Sequence, residues 1–151
     1  MRGRRYSIDG EQNIASPDDT LLGLVTGGTD NEPAIYMWSI GTDDTPADAS
    51  IEWYWQRFSA AGTATAVTPQ NLGPGTTASA STAGENHTAE PTYTANAILW
   101  RMALNQRASH TIVLDPDGAL IVPITANNGL GLAPTHASST VLCTATAHFQ
   151  D

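Results

Sequence analysis

Ser50–Ala60 reads SIEWYWQRFSA and runs directly into a different kind of chain, Ser59–Thr94, SAAGTATAVTPQNLGPGTTASASTAGENHTAEPTYT. In the first stretch Ile51, Trp53 and Trp55 alternate with Glu52, Tyr54 and Gln56. Strand side chains point alternately to opposite faces, so the pattern predicts a strand whose isoleucine and two tryptophans share one face. Each tryptophan can remove about 150–250 Å² from water, which makes that face a main source of folding free energy. The second stretch has almost nothing comparable. Between Thr63 and Thr92 the only larger aliphatic residues are Val67 and Leu72, and Pro69, Pro74 and Pro91 punctuate it. Burial of apolar groups offers little there to offset the entropy of ordering the backbone. Residues 61–94 are therefore expected to form an extended Thr/Ala/Gly/Pro-rich arm, disordered unless another chain orders it.

Working outward, short β candidates recur at Arg4–Ile8, Thr20–Val25, Ala34–Gly41, Ala95–Leu104, Ser109–Leu114, Ala119–Ile124 and Thr140–Phe149. With Ser50–Ala60 they make about eight strands. Turn chemistry separates them at Ser16–Asp19, Gly27-Gly28 and Thr42–Pro46. Asp115-Pro116-Asp117-Gly118, between TIVL and ALIV, reads as a hairpin. In the last strand Val141, Cys143, Ala145, Ala147 and Phe149 share a face, which suits the centre of a sheet. Only Leu99–Leu104 would also be acceptable as a helix. The expected fold is all-β, an antiparallel β-sandwich or jelly roll, with residues 1–151 forming one domain and residues 1–10 a basic tail. The 151-residue length and 40% hydrophobic content suffice for one core.

Fifteen acids stand against six bases, for a formal charge of -9, and all six bases are arginine. That balance argues against nucleic acid as a partner of the body. Arg2, Arg4 and Arg5 crowd one end, while Asp9 to Glu52 carries ten of the acids. The bland interpretation is a basic tail on an acidic domain. The sharper one is docking of the tail on an acidic protein surface, since guanidinium groups bind carboxylates bidentately. MRGRRYSIDG has the charges of a signal peptide without its apolar stretch, and no segment approaches a membrane span, so neither secretion by that route nor membrane association is expected.

Candidate chemistry is thin. His87, His110, His136 and His148 lack ligand spacing with one another or with Cys143. Gly-x-Ser-x-Gly is absent, and Cys143 in VLCTATAHF fits a small core residue better than a nucleophile. Asp115, Asp117 and Gly118 fall short of a calcium loop, and a turn explains them; Asp43, Asp44 and Asp48 also cluster. Asn86-His87-Thr88 fits a glycosylation sequon without a secretory context to use it. No enzymatic activity, cofactor or metal is expected. Trp38, Trp53, Trp55 and Trp100 with Tyr36, Tyr54 and Tyr93 either pack in the core or line a sugar-binding face. Ile35-Tyr36-Met37-Trp38-Ser39-Ile40 carries large side chains on both faces, so one face is a candidate for contact with another subunit.

Three runs carry a resemblance: IYMWSIGTDDTPADASIEWYWQRFSAAGTATAVTPQNL (35–72), ENHTAEPTYTANAILWRMALNQRA (85–108) and GALIVPITANNGLGLAPTHASSTVLCTATAHF (118–149). From about Ala34 onward the chain resembles a group of tailed-phage virion structural proteins; Met1–Asn31 matches least. The resemblance implies a β-sandwich of the capsid cement or decoration type. Such a protein sits on the exterior of the virion capsid after assembly in the host cytoplasm, commonly as a homotrimer bound to the major capsid protein. It brings no catalytic residues. The alternatives are a tail or fibre β-module, or a carbohydrate-binding jelly roll on the virion surface. The interface candidates are Arg2, Arg4, Arg5, Tyr36, Trp38, Trp53, Trp55, Val67 and Leu72, with the arm clamping a neighbouring chain.

Overall fold

The computed structural model describes residues 3–15, 19–28, 32–136 and 140–151. Two antiparallel sheets face each other across an apolar core, so the chain is a β-sandwich. Among the described residues twelve strands build it: β1 (Arg5–Ile14), β2 (Leu22–Val25), β3 (Ala34–Asp43), β4 (Ser50–Ala60), β5 (Thr63–Val67), β6 (Gln70–Asn71), β7 (Thr82–Ala89), β8 (Thr92–Asn105), β9 (His110–Val113), β10 (Leu120–Ile121), β11 (Gly129–His136) and β12 (Val141–Gln150). The first sheet runs β10-β3-β12-β1-β6, with β9 also on β3; the second runs β5-β7-β2-β11-β4-β8. The described residues contain no α-helix.

Alternation explains the inward faces of β1 and β12 and of the first half of β4, where Tyr54 on the other face is buried as well. Ile51, Trp53 and Trp55 of β4 all turn into the core, as do Val141, Cys143, Ala145, Ala147 and Phe149 of β12. Trp38 from β3, in the same sheet as β12, meets the second sheet across the core, edge-to-face with Trp55 of β4 at 6.2 Å and with Trp100 of β8 at 5.0 Å. Leu99–Leu104 is thus strand rather than helix. Trp100, Met102 and Leu104 alternate as the half-buried positions, and β4 supplies the ladder partner.

The arm is ordered by its own chain, which corrects the expectation for residues 61–94. β5 and β7 extend the second sheet from β2, and β6 pairs with the start of β1. Little apolar burial is involved, because backbone pairing and polar anchors hold the arm instead. The Tyr6 hydroxyl donates to the carbonyls of Thr77 and Ala78 at 3.2 Å each. The Asp151 carboxylate accepts from the Ser79 and Ser81 hydroxyls at 2.6 and 2.9 Å. The Glu90 carboxylate accepts from the Thr20 backbone N–H at 2.9 Å. Counting only aliphatic side chains misses this source of order.

Asp115–Gly118 also differs from expectation. Asp115 Oδ1 accepts from the Asp117 N–H at 3.0 Å, so the turn forms as a short 3-10 segment. The chain does not reverse, however. β9 pairs with β3 through Met37↔Val113, and β10 pairs with the same edge through Ile35↔Leu120, both antiparallel. The turn interrupts one edge strand rather than joining two paired strands. β11 lies centrally despite its glycines and Pro134. β2 stops opposite Leu132, so Pro134 sits where only β4 is a ladder partner.

Candidate functional site

The first sheet leaves its outer face uncovered, and residues from four strands meet there. Directly paired residues share a face, so Ser7, His148, Met37 and Val113 form one row across β1, β12, β3 and β9. A β-bulge between His148 and Phe149 lets β3 turn both Tyr36 and Met37 away from the core, between buried Ile35 and buried Trp38. Arg5 lies at the same end of the sheet, its guanidinium 5.6 Å from the centre of the Tyr36 ring. His148 stands 6.2 Å from that ring on the other strand.

Beside this cluster is a recess of about 590 Å³ lined by Arg4, Arg5, Tyr36, Asn71, Leu72 and the loop through Thr77. Its walls are fixed by backbone. Arg4 donates its N–H to the Asp151 carbonyl at 3.1 Å and accepts from the Asp151 N–H at 2.8 Å, while Leu72 donates to the Arg5 carbonyl at 2.9 Å. Asn71 Oδ1 accepts from the Gly73 N–H at 2.8 Å, and its Nδ2 donates to the Thr77 carbonyl at 3.3 Å. Both arginines are exposed, and neither forms an ion pair among the described residues. The surface is basic and partly apolar on a strongly acidic protein. Tyr36 is held protonated, since its partial burial raises the phenol's pKa more than Arg5 lowers it.

The sequence candidates divide into two groups. Arg4, Arg5, Tyr36 and Leu72, far apart in sequence, come together in the recess. Arg2 lies outside the described residues. Trp38, Trp53 and Trp55 are at most 1% exposed in the chain's own core, so they offer nothing to a neighbouring chain. Their alternation marks an inward face, and a buried strand shows that pattern as well as an interface strand does. Val67 packs against the same core instead of projecting from an arm. With those tryptophans buried and Trp100 set edge-to-face against Trp38, the four indoles do not form a sugar-stacking platform. The sequence-based reading missed Val113, 70% exposed, and Ile121, 39% exposed, on the same outer face. The signal was the run TIVL, which is apolar on both sides of a strand.

Farther along the same face a polar trough of about 610 Å³ crosses the strands beside Asp9, Glu11, Thr144, Thr146, Ser39 and Thr111. Glu85 closes one end and accepts the Glu11 N–H at 2.9 Å. This satisfies part of β1's edge beyond its short pairing with β6. The outer face thus runs from a basic, apolar end to an acidic, polar one. Cys143 faces the core, and burial pushes its thiol up to about 12, so it is protonated at neutral pH.

Burial holds His87 and His148 below the usual histidine value. As pH falls, the unfolded chain takes up these protons first, near its reference value of about 6.5. Stability from the two neutral rings is therefore fully present above that pH and drains away as pH falls toward the folded-state values. The melting temperature is expected to be lower at about pH 5.5 than at about pH 7.5. Replacing His148 with glutamine should reduce that difference; a difference unchanged in the variant would remove His148 from the account.

No protein-family model matches this chain, and no curated protein matches it significantly.

Proposed function

We propose that this chain is a non-enzymatic virion structural protein of the cement or decoration type, which docks on the major capsid shell as an oligomer. The observation that carries the reading is the recess. Two exposed arginines without ion-pair partners among the described residues, an aromatic ring and an exposed leucine converge on one rigid sheet end. Arginine and aromatic residues are the side chains that most often anchor protein interfaces, and guanidinium groups match carboxylates on a partner. An antiparallel sandwich holds such a surface fixed, so binding costs little ordering of the backbone. The resemblance to tailed-phage virion proteins supplies the identity of the partner, and a homotrimer belongs to the same proposal.

The test is cosedimentation with capsid shells assembled without this protein. The native chain is expected to bind saturably at physiological salt. Reversing both charges, Arg4→Glu with Arg5→Glu, is expected to weaken binding at least about tenfold, the loss of roughly 1.4 kcal/mol. Both side chains are exposed, so the variant's melting curve should match the native one. Saturable binding that the double reversal leaves intact would sink the recess as the docking site. Density on the tail in a particle map would replace the capsid with a tail module.

A further inference from the structure

The outward positions of β1 read Arg5, Ser7, Asp9 and Glu11, so this strand carries a cation at one end of the first sheet's uncovered face and anions toward the other. Arg5 and Asp9 lie symmetrically about Ser7. At about 3.4 Å per residue they stand roughly 14 Å apart, too far to pair within the chain. Neither forms an ion pair among the described residues. From Ser7 the cross-strand row continues through His148 and Met37 to Val113, which is 70% exposed. His148 adds no charge to this row at neutral pH, because burial lowers its pKa. The next row, on the basic side, runs from Arg5 through Gln150 and Ala34 to Ile121, 39% exposed.

Such a face is complementary to a copy of itself. Turning a second molecule by 180° about the Ser7–Val113 row lays β1 on β1 with the strands reversed. Each residue then meets the one equally far from the row on its other side. Arg5 of each copy faces Asp9 of the other, so the contact is made twice, as an isologous interface requires. Glu11 falls opposite Gly3, beside Arg4. Sheets packed face to face stand about 10 Å apart with their strands within about 30° of each other, a gap that an arginine side chain reaches across. A twofold axis along the strands would instead bring both basic ends to one side and both acidic ends to the other, which like charges oppose.

We propose that the free chain pairs with a second copy of itself through the outer face of its first sheet, about a twofold axis along the Ser7–Val113 row. Burial of Met37, Val113 and Ile121 supplies the driving force. The two Arg5–Asp9 contacts set the register and exclude the other rotation, which is what charges contribute at an interface. Exposed ion pairs alone are worth little, so the apolar row is needed as well. The inference does not rest on the capsid reading. Arg5 also lines the recess, so a shell and a second copy compete for it, and the pair is the state of the unbound chain.

Sedimentation equilibrium of the full chain, from micromolar to near-millimolar concentration, tests the pairing. The native chain is expected to reach the mass of two chains. Arg5→Asp and Asp9→Arg are each expected to weaken pairing at least about tenfold, because each single reversal sets like charges against each other twice. The double variant, Arg5→Asp with Asp9→Arg, restores opposite charges across the axis and is expected to return within about threefold of the native constant. Its recess has still lost Arg5, so binding to a shell would stay weakened, and the two readings fail separately. Val113→Asp places each new carboxylate against its own copy on the axis and is expected to abolish pairing. All three side chains are exposed, so melting curves of dilute samples should match the native one. A single-chain mass at every concentration overturns the proposal and leaves the face to a different protein. A mass of three chains, a double variant no better than the single ones, or undiminished pairing by Val113→Asp also overturns it.

Discussion

Replacing Trp38 with alanine is expected to destabilise the protein by about 3–5 kcal/mol, the range for deleting a large buried aromatic side chain. Trp38 is fully buried and forms the contact between sheets, with Trp55 and Trp100 both edge-on to it. Alanine would leave a cavity bordered by strands of both sheets, and paired backbones cannot close it without moving whole ladders. Since a domain of this size is stable by only about 5–15 kcal/mol, the variant should unfold at a much lower urea concentration. Its m-value should be unchanged if the sandwich is otherwise intact. Trp38→Phe gives the discriminating comparison. The Trp38 indole N–H has no hydrogen-bond partner among the described residues, so phenylalanine keeps an aromatic ring and removes an unsatisfied donor. Its cost is expected to be clearly smaller than that of alanine, because the phenyl ring leaves a smaller cavity. Equal losses for both variants would mean that ring packing between the sheets is not what Trp38 contributes.

The same tryptophans show how far sequence could reach. Alternation through β4 and β12 identified strands and their inward faces correctly, because a strand buried on one side must repeat every second residue. Alternation says that a face is buried and is silent about what covers it. Trp53 and Trp55 were therefore equally compatible with an interface and with a core, and the opposite sheet decided the matter through Trp38. β11 escaped notice because its two glycines and Pro134 read as a loop. They are tolerated because outward side chains from neighbouring segments cover the glycines, and β2 ends before the proline. The arm was misread for a different reason. Its order comes from ladders and from Tyr6, Asp151 and Glu90, each about seventy residues from the groups it holds. Such long-range polar anchors leave no local pattern.

The candidate site was legible in its parts and not in its assembly. Charge singled out Arg4 and Arg5, the two-faced β3 strand singled out Tyr36, and the scarcity of aliphatic groups singled out Leu72. Their meeting depends on β6 pairing with Tyr6 and Ser7 and on the bulge opposite Tyr36. Neither feature follows from composition. The position of His87 was equally hidden, because Asn86 takes a positive φ of 47° and breaks the alternation of β7 just before the histidine. Local twisting of that kind places a buried ring over Gly23, where a regular strand would have turned it elsewhere.

Gly129→Ala is expected to destabilise the protein by about 3 kcal/mol or more, at the upper end for overpacking. A Cβ there would stand 2.3 Å from the Leu24 carbonyl oxygen and 2.4 Å from Phe58 Cζ. The two obstacles differ in how far they can yield. Phe58 is 1% exposed and edge-to-face with Tyr93 at 6.3 Å, so its ring moves only by disturbing a second aromatic contact. The Leu24 oxygen belongs to backbone beside the Gly129↔Val25 and Leu130↔Leu24 pairs, so it moves only with the β2–β11 ladder. Relief should therefore be incomplete when the side chain alone is trimmed. In urea unfolding, Phe58→Leu combined with Gly129→Ala is expected to recover part of the loss relative to the sum of the single variants. Full recovery would show that the phenyl ring was the whole constraint. Gly118→Ala is the control: a Cβ at Gly118 meets nothing within 4 Å, and its cost should lie within about 0.5 kcal/mol of zero. If Gly129→Ala matched that control, the tight contact between β2 and β11 would not be a constraint on the fold.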